Sequence, residues 1–316
     1  MRANRLAQAV LAAGLVAGPA MAEENLWVYT KGTDTRPKGS FEFKLSDTIR
    51  VGKHSGDYEF HDIRPEIEYG VTDKLTIGAE ILIFHHDYSV NDPDLQPVFD
   101  TQGGEGGRFK DTQYGGFEVA LKYNIYSPYK DWAGLSLGLG YERREQYRLD
   151  GADISQNSYT GTVFFQKNWI DDKLTLAVNV KTEFERRKSP GVLEEEISFD
   201  FSAGLAYRVA PKHFVGIEYR RQQDHLSPFN TETGEYDDPS LQPSEFDLTN
   251  FRVGTRHQYG EYIGPTYHFA EKNWWLTAGI LFQVQGGGSE HAFVESSKNW
   301  DEHEQYHVGL IYGYEY

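Results

Sequence analysis

Carboxylates and basic side chains recur at alternate positions along several stretches of this sequence. The first run is Asp62, Arg64, Glu66 and Glu68. The same spacing returns at Glu80, at Glu118 with Lys122, at Glu142 with Arg144, at Lys181, Glu183 and Glu185, at Asp200 and Arg208, and at Glu218 with Arg220. Ten acids share this set of positions with six bases. Opposed charges lining a common path order water, ions and small polar solutes, and the acidic surplus leans toward cations. The same charges bridged to one another would instead brace a closed interior. An open water path along Glu66, Glu118, Arg208 and Glu218 marks the first case, and acid–base pairs throughout mark the second.

Two other chemistries can be put to the same residues. A lipid hydrolase needs Ser, His and an acid or amide brought together. His85 and His86 precede Tyr88-Ser89, and His257 opens a later segment, but no Ser stands in a recognisable nucleophile motif, so no catalytic residue is assigned. A Ser–His pair at hydrogen-bond distance on the outer rim would mark that alternative. Clustered acids at Asp92-Pro93-Asp94, Glu194-Glu195-Glu196 and Asp237-Asp238 fall in expected loops without EF-hand spacing. Such acids are ordinarily solvated, so neither a metal site nor a cofactor is assigned. Divalent ions bridging these loops to lipopolysaccharide phosphates are a further expectation.

The elements that must position these charges are strands. Ile63, Pro65, Ile67, Tyr69 and Val71 occupy the positions between the charges of 62–70, and Leu75, Ile77, Ala79, Ile81 and Ile83 follow in the same period. Phe117 to Ile125, Leu135 to Tyr141, and the segments 174–184, 197–209 and 274–284 repeat the pattern. Short connections at 71–74, 127–132, 170–173, 210–213 and 270–273 alternate with longer polar ones at 53–57, 90–112, 150–157, 188–196, 226–250 and 286–302. This predicts an all-β, up-and-down antiparallel transmembrane barrel of about twelve strands, with short periplasmic turns and longer extracellular loops. In a soluble barrel of that size the apolar face would enclose a void no side chains could fill. With lipid outside, the charged face lines the lumen. Tyr126, Tyr129, Trp132, Trp169, Trp274 and Trp275 are expected in an interfacial girdle. Of the longer connections, 90–112 carries Gly103-Gly104-Glu105-Gly106-Gly107 and 226–250 is strongly acidic; either could fold inward across the lumen.

Composition agrees. Of 316 residues, 48 are acidic and 31 are Lys or Arg, a net charge of -17 that opposes nucleic-acid binding. Mean hydropathy is -0.62, and no apolar run in the remainder of the chain reaches the ~18–20 residues of a spanning helix. Arg2 and Arg5, the apolar stretch Leu6 to Gly18 and Ala20-Met21-Ala22 read as a cleaved secretory leader over 1–22. Residues 23–38 then form a periplasmic N-terminal segment, either tucked into the barrel mouth or a disordered leader, and 39–316 the barrel.

The chain ends on alternate Tyr306, Val308, Leu310, Tyr312, Tyr314 and Tyr316. Leu310, Tyr312, Tyr314 and Tyr316 resemble the C-terminal β-signal of Gram-negative outer-membrane proteins, which implies the barrel-assembly machinery as a partner. Lys31-Gly32 and Pro37-Lys38-Gly39-Ser40, followed by Glu66-Ile67-Glu68-Tyr69-Gly70-Val71-Thr72-Asp73-Lys74-Leu75, resemble a family of uncharacterised bacterial outer-membrane β-barrels. The Glu-Tyr-Gly-Val-Thr-Asp-Lys-Leu turn is similar to that of transporter-type barrels of phenol-degradation pathways. The resemblance covers residues 26–83 and implies location and fold. The expectation is therefore a Gram-negative outer-membrane channel for a small polar or cationic solute, surrounded by lipid and lipopolysaccharide. A closed structural or ligand-binding barrel is the alternative and a lipid hydrolase the third.

Overall fold

The computed structural model describes residues 25–89, 108–189, 192–230, 233, 235–236, 256–288, 294–295, 297–300 and 302–316. Twelve long strands carry the architecture: β1 (Phe41–Val51), β2 (Asp57–Thr72), β3 (Leu75–Ser89), β4 (Arg108–Tyr126), β5 (Gly134–Gln146), β6 (Asp153–Trp169), β7 (Leu174–Ser189), β8 (Val192–Ala210), β9 (His213–Asn230), β10 (Arg256–Ala270), β11 (Trp274–Gly288) and β12 (Tyr306–Glu315). Each pairs antiparallel with its successor, and β12 closes on β1 from Glu42↔Glu315 to Val51↔Tyr306. Closure leaves no edge, so the ladder satisfies the backbone groups that lipid could not. Short strands at Glu235–Tyr236, Val294–Glu295 and Lys298–Asn299 decorate the rim.

Alternation sorts the side chains as the sequence predicts. Phe41, Ile67, Ile77, Val119, Leu139, Val163, Phe201, Ile217 and Leu310 face outward and are exposed, while Glu42, Glu68, Thr76, Glu142, Asn179, Ser202 and Glu218 face inward and are buried. This inversion of the usual polarity demands a lipid surround. Ten of the twelve strands have 13 to 19 residues, more than the ~9–11 needed to cross, so the wall projects beyond the membrane.

Three local expectations are corrected. Residues 188–196 are not a long loop: β7 runs to Ser189 and β8 restarts at Val192, placing Glu194, Glu195 and Glu196 in a strand. The cross-strand pairs Arg187↔Glu194 and Arg186↔Glu195 put opposite charges side by side, so a polar sequence extends the ladder. Arg208, at the bulged periplasmic end of β8, takes no place on a central path. Trp275 leaves the girdle, because its neighbour Trp274 takes the outward position; the Trp275 indole is buried in the lumen and donates to Glu42 at 2.7 Å. The acids at 92–94 and 237–238, the glycines at 103–107 and the leader at 1–22 lie outside the described residues.

Candidate functional site in the barrel lumen

Residues 25–36 enter the lumen from the periplasmic end and return to it before β1. A segment without its own ladder must find partners for its backbone, and the inward polar side chains supply them. The N–H groups of Val28, Tyr29 and Thr30 donate to the Glu218 carboxylate at 2.9, 2.9 and 2.6 Å. Asn179 accepts from Lys31 N–H at 2.6 Å and donates to the Lys31 carbonyl at 2.8 Å. Gln166 accepts from Thr33 N–H, while Asn124 and Ser136 donate to the Thr33 carbonyl and Lys122 to that of Gly32. Arg36 ends the loop between Glu42 and Glu315, at 3.3 and 3.0 Å. Apolar side chains seat the segment. Leu26 and Trp27 join Ala177, Ala206 and Phe214 in one buried cluster. A Cβ at Gly204 would lie 2.3 Å from the Trp27 indole, and one at Gly309 would lie 2.3 Å from Val28, so only glycine admits the plug there.

Above the plug lies a chamber of about 330 Å³. Arg64 is its hub, 2.7 Å from Asp62, 2.5 Å from Glu80, 3.2 Å from Glu118 and 3.3 Å from Glu142. Lys44 binds Glu68 at 2.6 Å and Glu66 at 2.9 Å. Arg220 binds Asp200 at 2.5 Å and lies 3.9 Å over the Tyr29 ring, joining plug to wall. Buried charges are tolerated only when paired in this way.

The extracellular half is filled from inside. Tyr58, Phe60, Leu82, Phe84, Tyr88 and Phe109 form an aromatic cluster. The turn 147–152 folds onto it: Tyr58 donates to the Leu149 carbonyl, Tyr88 to that of Asp150 and His86 to that of Arg148, at 2.9, 3.0 and 2.9 Å. The other side is covered by residues 297–300 and 302–305, with Gln283 donating to the Asn299 carbonyl at 2.7 Å and accepting from Asn299 N–H at 2.7 Å. Glu304 is the anchor of this cap, 3.1 Å from Lys53 and 4.0 Å from Arg50. Burial alone would raise its carboxyl, yet Lys53, the His307 hydrogen bond and Arg50 hold it well below the usual carboxylate range. Burial pushes the neighbouring His303 imidazole down to about 3.

Of the charges singled out in sequence, Arg64, Glu66, Glu68, Glu80, Glu118, Lys122, Glu142 and Arg220 line the chamber. Glu183 is bound to Lys181 at 2.9 Å. Glu218 serves the plug, and Arg208 reaches the Asp171 carbonyl at the periplasmic rim, 3.1 Å away. The expected path along Glu218 and Arg208 is therefore closed in this structure: the plug backbone occupies Glu218 and Trp27 fills the space beneath. Sequence reading missed Lys31, Lys44, Arg50 and Arg148, which also line the chamber. Lys44 and Arg50 were legible, since Glu42, Lys44, Ser46, Thr48 and Arg50 alternate with Phe41, Phe43 and Leu45. His85 is engaged by Thr112 and Ser89 by the Asp57 N–H, separately. Among the described residues no group of three or more His, Asp and Glu is arranged to hold a metal.

A family model described as a family of unknown function, DUF6662, matches residues 19–316. The chain belongs to that family. No curated protein matches this DUF6662 chain. In structure it is similar to the COG4313 outer membrane channel from Pseudomonas putida F1, with a TM-score of 0.57 and 12% identity over 90% of this chain and 98% of that one. It is also similar to the beta domain of the Bordetella autotransporter Brka, at TM-score 0.47 and 12% identity over 89% and 100% of the two chains. The NanC porin follows at 0.46 and 8%, over 86% and 98%. The first likeness shows a shared barrel fold.

Proposed function

We propose that the protein is an outer-membrane channel for a small polar solute, its lumen obstructed here by the plug on the periplasmic side and, among the described residues, by the 147–152 turn and the cap on the other. The observation that carries this reading is an ion-lined chamber bounded by three segments that are not part of the wall, the plug, the 147–152 turn and the cap. Strands cannot part without breaking the ladder, whereas the plug and the cap are held by side chains and can leave it intact. The name of the Pseudomonas neighbour as a channel supports the same reading. In it the leader at 1–22 exports the chain, the assembly machinery reads Leu310, Tyr312, Tyr314 and Tyr316, and the barrel sits among lipid and lipopolysaccharide in a Gram-negative outer membrane.

The lining bears on the solute. Seven carboxylates (Asp62, Glu66, Glu68, Glu80, Glu118, Glu142, Asp200) meet eight cations (Lys31, Lys44, Arg50, Arg64, Lys122, Arg148, Lys181, Arg220). The acidic surplus read from the strands is thus offset by the plug, β1 and the 147–152 turn, which favours a polar or zwitterionic solute over a simple cation.

The test is single-channel recording in planar bilayers on the mature protein and on a variant lacking residues 25–36. The intact protein is expected to open rarely, and the variant to conduct in persistent steps. Silence from both, with each running as a heat-modifiable barrel, would sink the channel reading. The closed structural barrel would then stand, as the four carboxylates gathered on Arg64 favour.

A further inference from the structure

Plug and cap are linked through His307 of the wall, and the contacts are polar and directional. The Tyr29 hydroxyl, at the apex of the plug, lies 2.7 Å from Nδ1 of His307 on β12. Nε2 of the same ring lies 3.1 Å from Oε2 of Glu304 in the cap. The His307 and Glu304 side chains are almost fully buried. Lys53 at Oε1 and Arg50, 4.0 Å from Oε2, keep the Glu304 carboxylate ionised, and an ionised carboxylate only accepts. His307 therefore carries its proton on Nε2, which leaves Nδ1 as an acceptor, and Tyr29 must be the donor. The chain of donation runs one way, from plug to wall to cap. Tyr262 fixes the middle link: its ring stacks on His307 with centroids 4.2 Å apart, and its hydroxyl donates to the Glu304 carbonyl at 2.9 Å while accepting from Glu304 N–H at 3.2 Å.

We propose that Tyr29, His307 and Glu304 form one hydrogen-bonded relay that couples the plug to the cap, so that the two closures of the lumen loosen together. If the plug withdraws, His307 Nδ1 is left as a buried acceptor without its donor. The imidazole then gains by turning or changing tautomer, and either change releases Glu304. By linkage the effect is reciprocal, since a cap that opens frees His307 and weakens the seat of Tyr29. The use of such a coupled gate rests on the channel reading, but the coupling itself can be measured without conduction.

The experiment is backbone hydrogen exchange at neutral pH on the full-length mature barrel, comparing wild type, Tyr29→Phe, Glu304→Gln and the double variant. Tyr29→Phe is expected to speed exchange by roughly tenfold in residues 297–305 as well as in 25–36. Glu304→Gln is expected to do the same in 25–36. The double variant should exceed neither single variant by much, because both break the same relay. His307→Phe keeps an aromatic ring against Tyr262 but removes both hydrogen bonds, and should match the double. Unchanged exchange in β4 to β8 shows that the barrel has folded in each case. Effects confined to the element that carries the substitution, or effects that add, would overturn the relay. Cross-effects in a barrel that never conducts would uphold the relay and sink the channel, and conduction without cross-effects would do the reverse.

Discussion

At the scale of single residues, one carboxylate does more than any other to close the lumen. Glu218 accepts three successive backbone N–H groups of the plug, an arrangement that suits an acceptor-only carboxylate. Glu218→Gln leaves the shape but turns one oxygen into a donor facing donors. It is expected to cost about 1–3 kcal/mol of plug docking, a rise of about 5- to 150-fold in the undocked population. A unique cysteine at Val28, in a chain with no native cysteine, checks this through its rate of labelling. The sequence displayed Glu218 as one inward acid among many. Its partners are backbone groups of a distant segment, and nothing in side-chain alternation announces them.

At the scale of elements, the cap and the last strand carry separate predictions. His303 is held at about 3, far below its ordinary 6.5, and Glu304 well below its ordinary 4.5. Both folded values are depressed, so both contributions are fully present at high pH and are lost on acidification. The His303 part fades as pH falls below about 6.5, at roughly 1.4 kcal/mol per pH unit, and the Glu304 part adds below about 4.5. Leak conductance with acid on the cap side is expected to climb from near pH 6 downward. His303→Gln should make that climb shallower, and identical pH profiles for the two proteins would refute the assignment. On β12, Leu310, Tyr312 and Tyr316 face outward and are exposed, and Tyr314 shares its outward parity. Tyr316→Asp is expected to lower the yield of heat-modifiable barrel several-fold in membranes; normal yield would count against an assembly signal there.

At the scale of the whole molecule, charge balance decides selectivity. With seven acids against eight bases around the chamber, the variant lacking residues 25–36 loses Lys31 and is expected to be only weakly cation-leaning, with a reversal potential close to zero in a tenfold salt gradient. A strongly cation-selective pore would show that the acids on the strand faces set the field after all. The ion pairs themselves are buried and thus poorly screened, so this balance should hold from low to high salt.

The barrel, its lipid face and its twelve strands were determined by sequence alone. The reason is local: a strand turns successive side chains to opposite sides, so Ile63 to Val71 or Leu135 to Tyr141 declare their environment within ten residues. Even the filled upper lumen left a trace, since Ile81-Leu82-Ile83-Phe84 is apolar on both faces and an aqueous lumen would not need that. Only the tertiary structure decided which inward charges face space and which face the plug. Residues 25–36 have no periodicity, and their path is set by Glu218, Asn179, Gln166 and Thr76, on four different strands. Gly204 and Gly309 mean little until Trp27 and Val28 are seen against them. Alternation assigns a face, but occupancy of the lumen depends on contacts up to 279 residues apart in the chain.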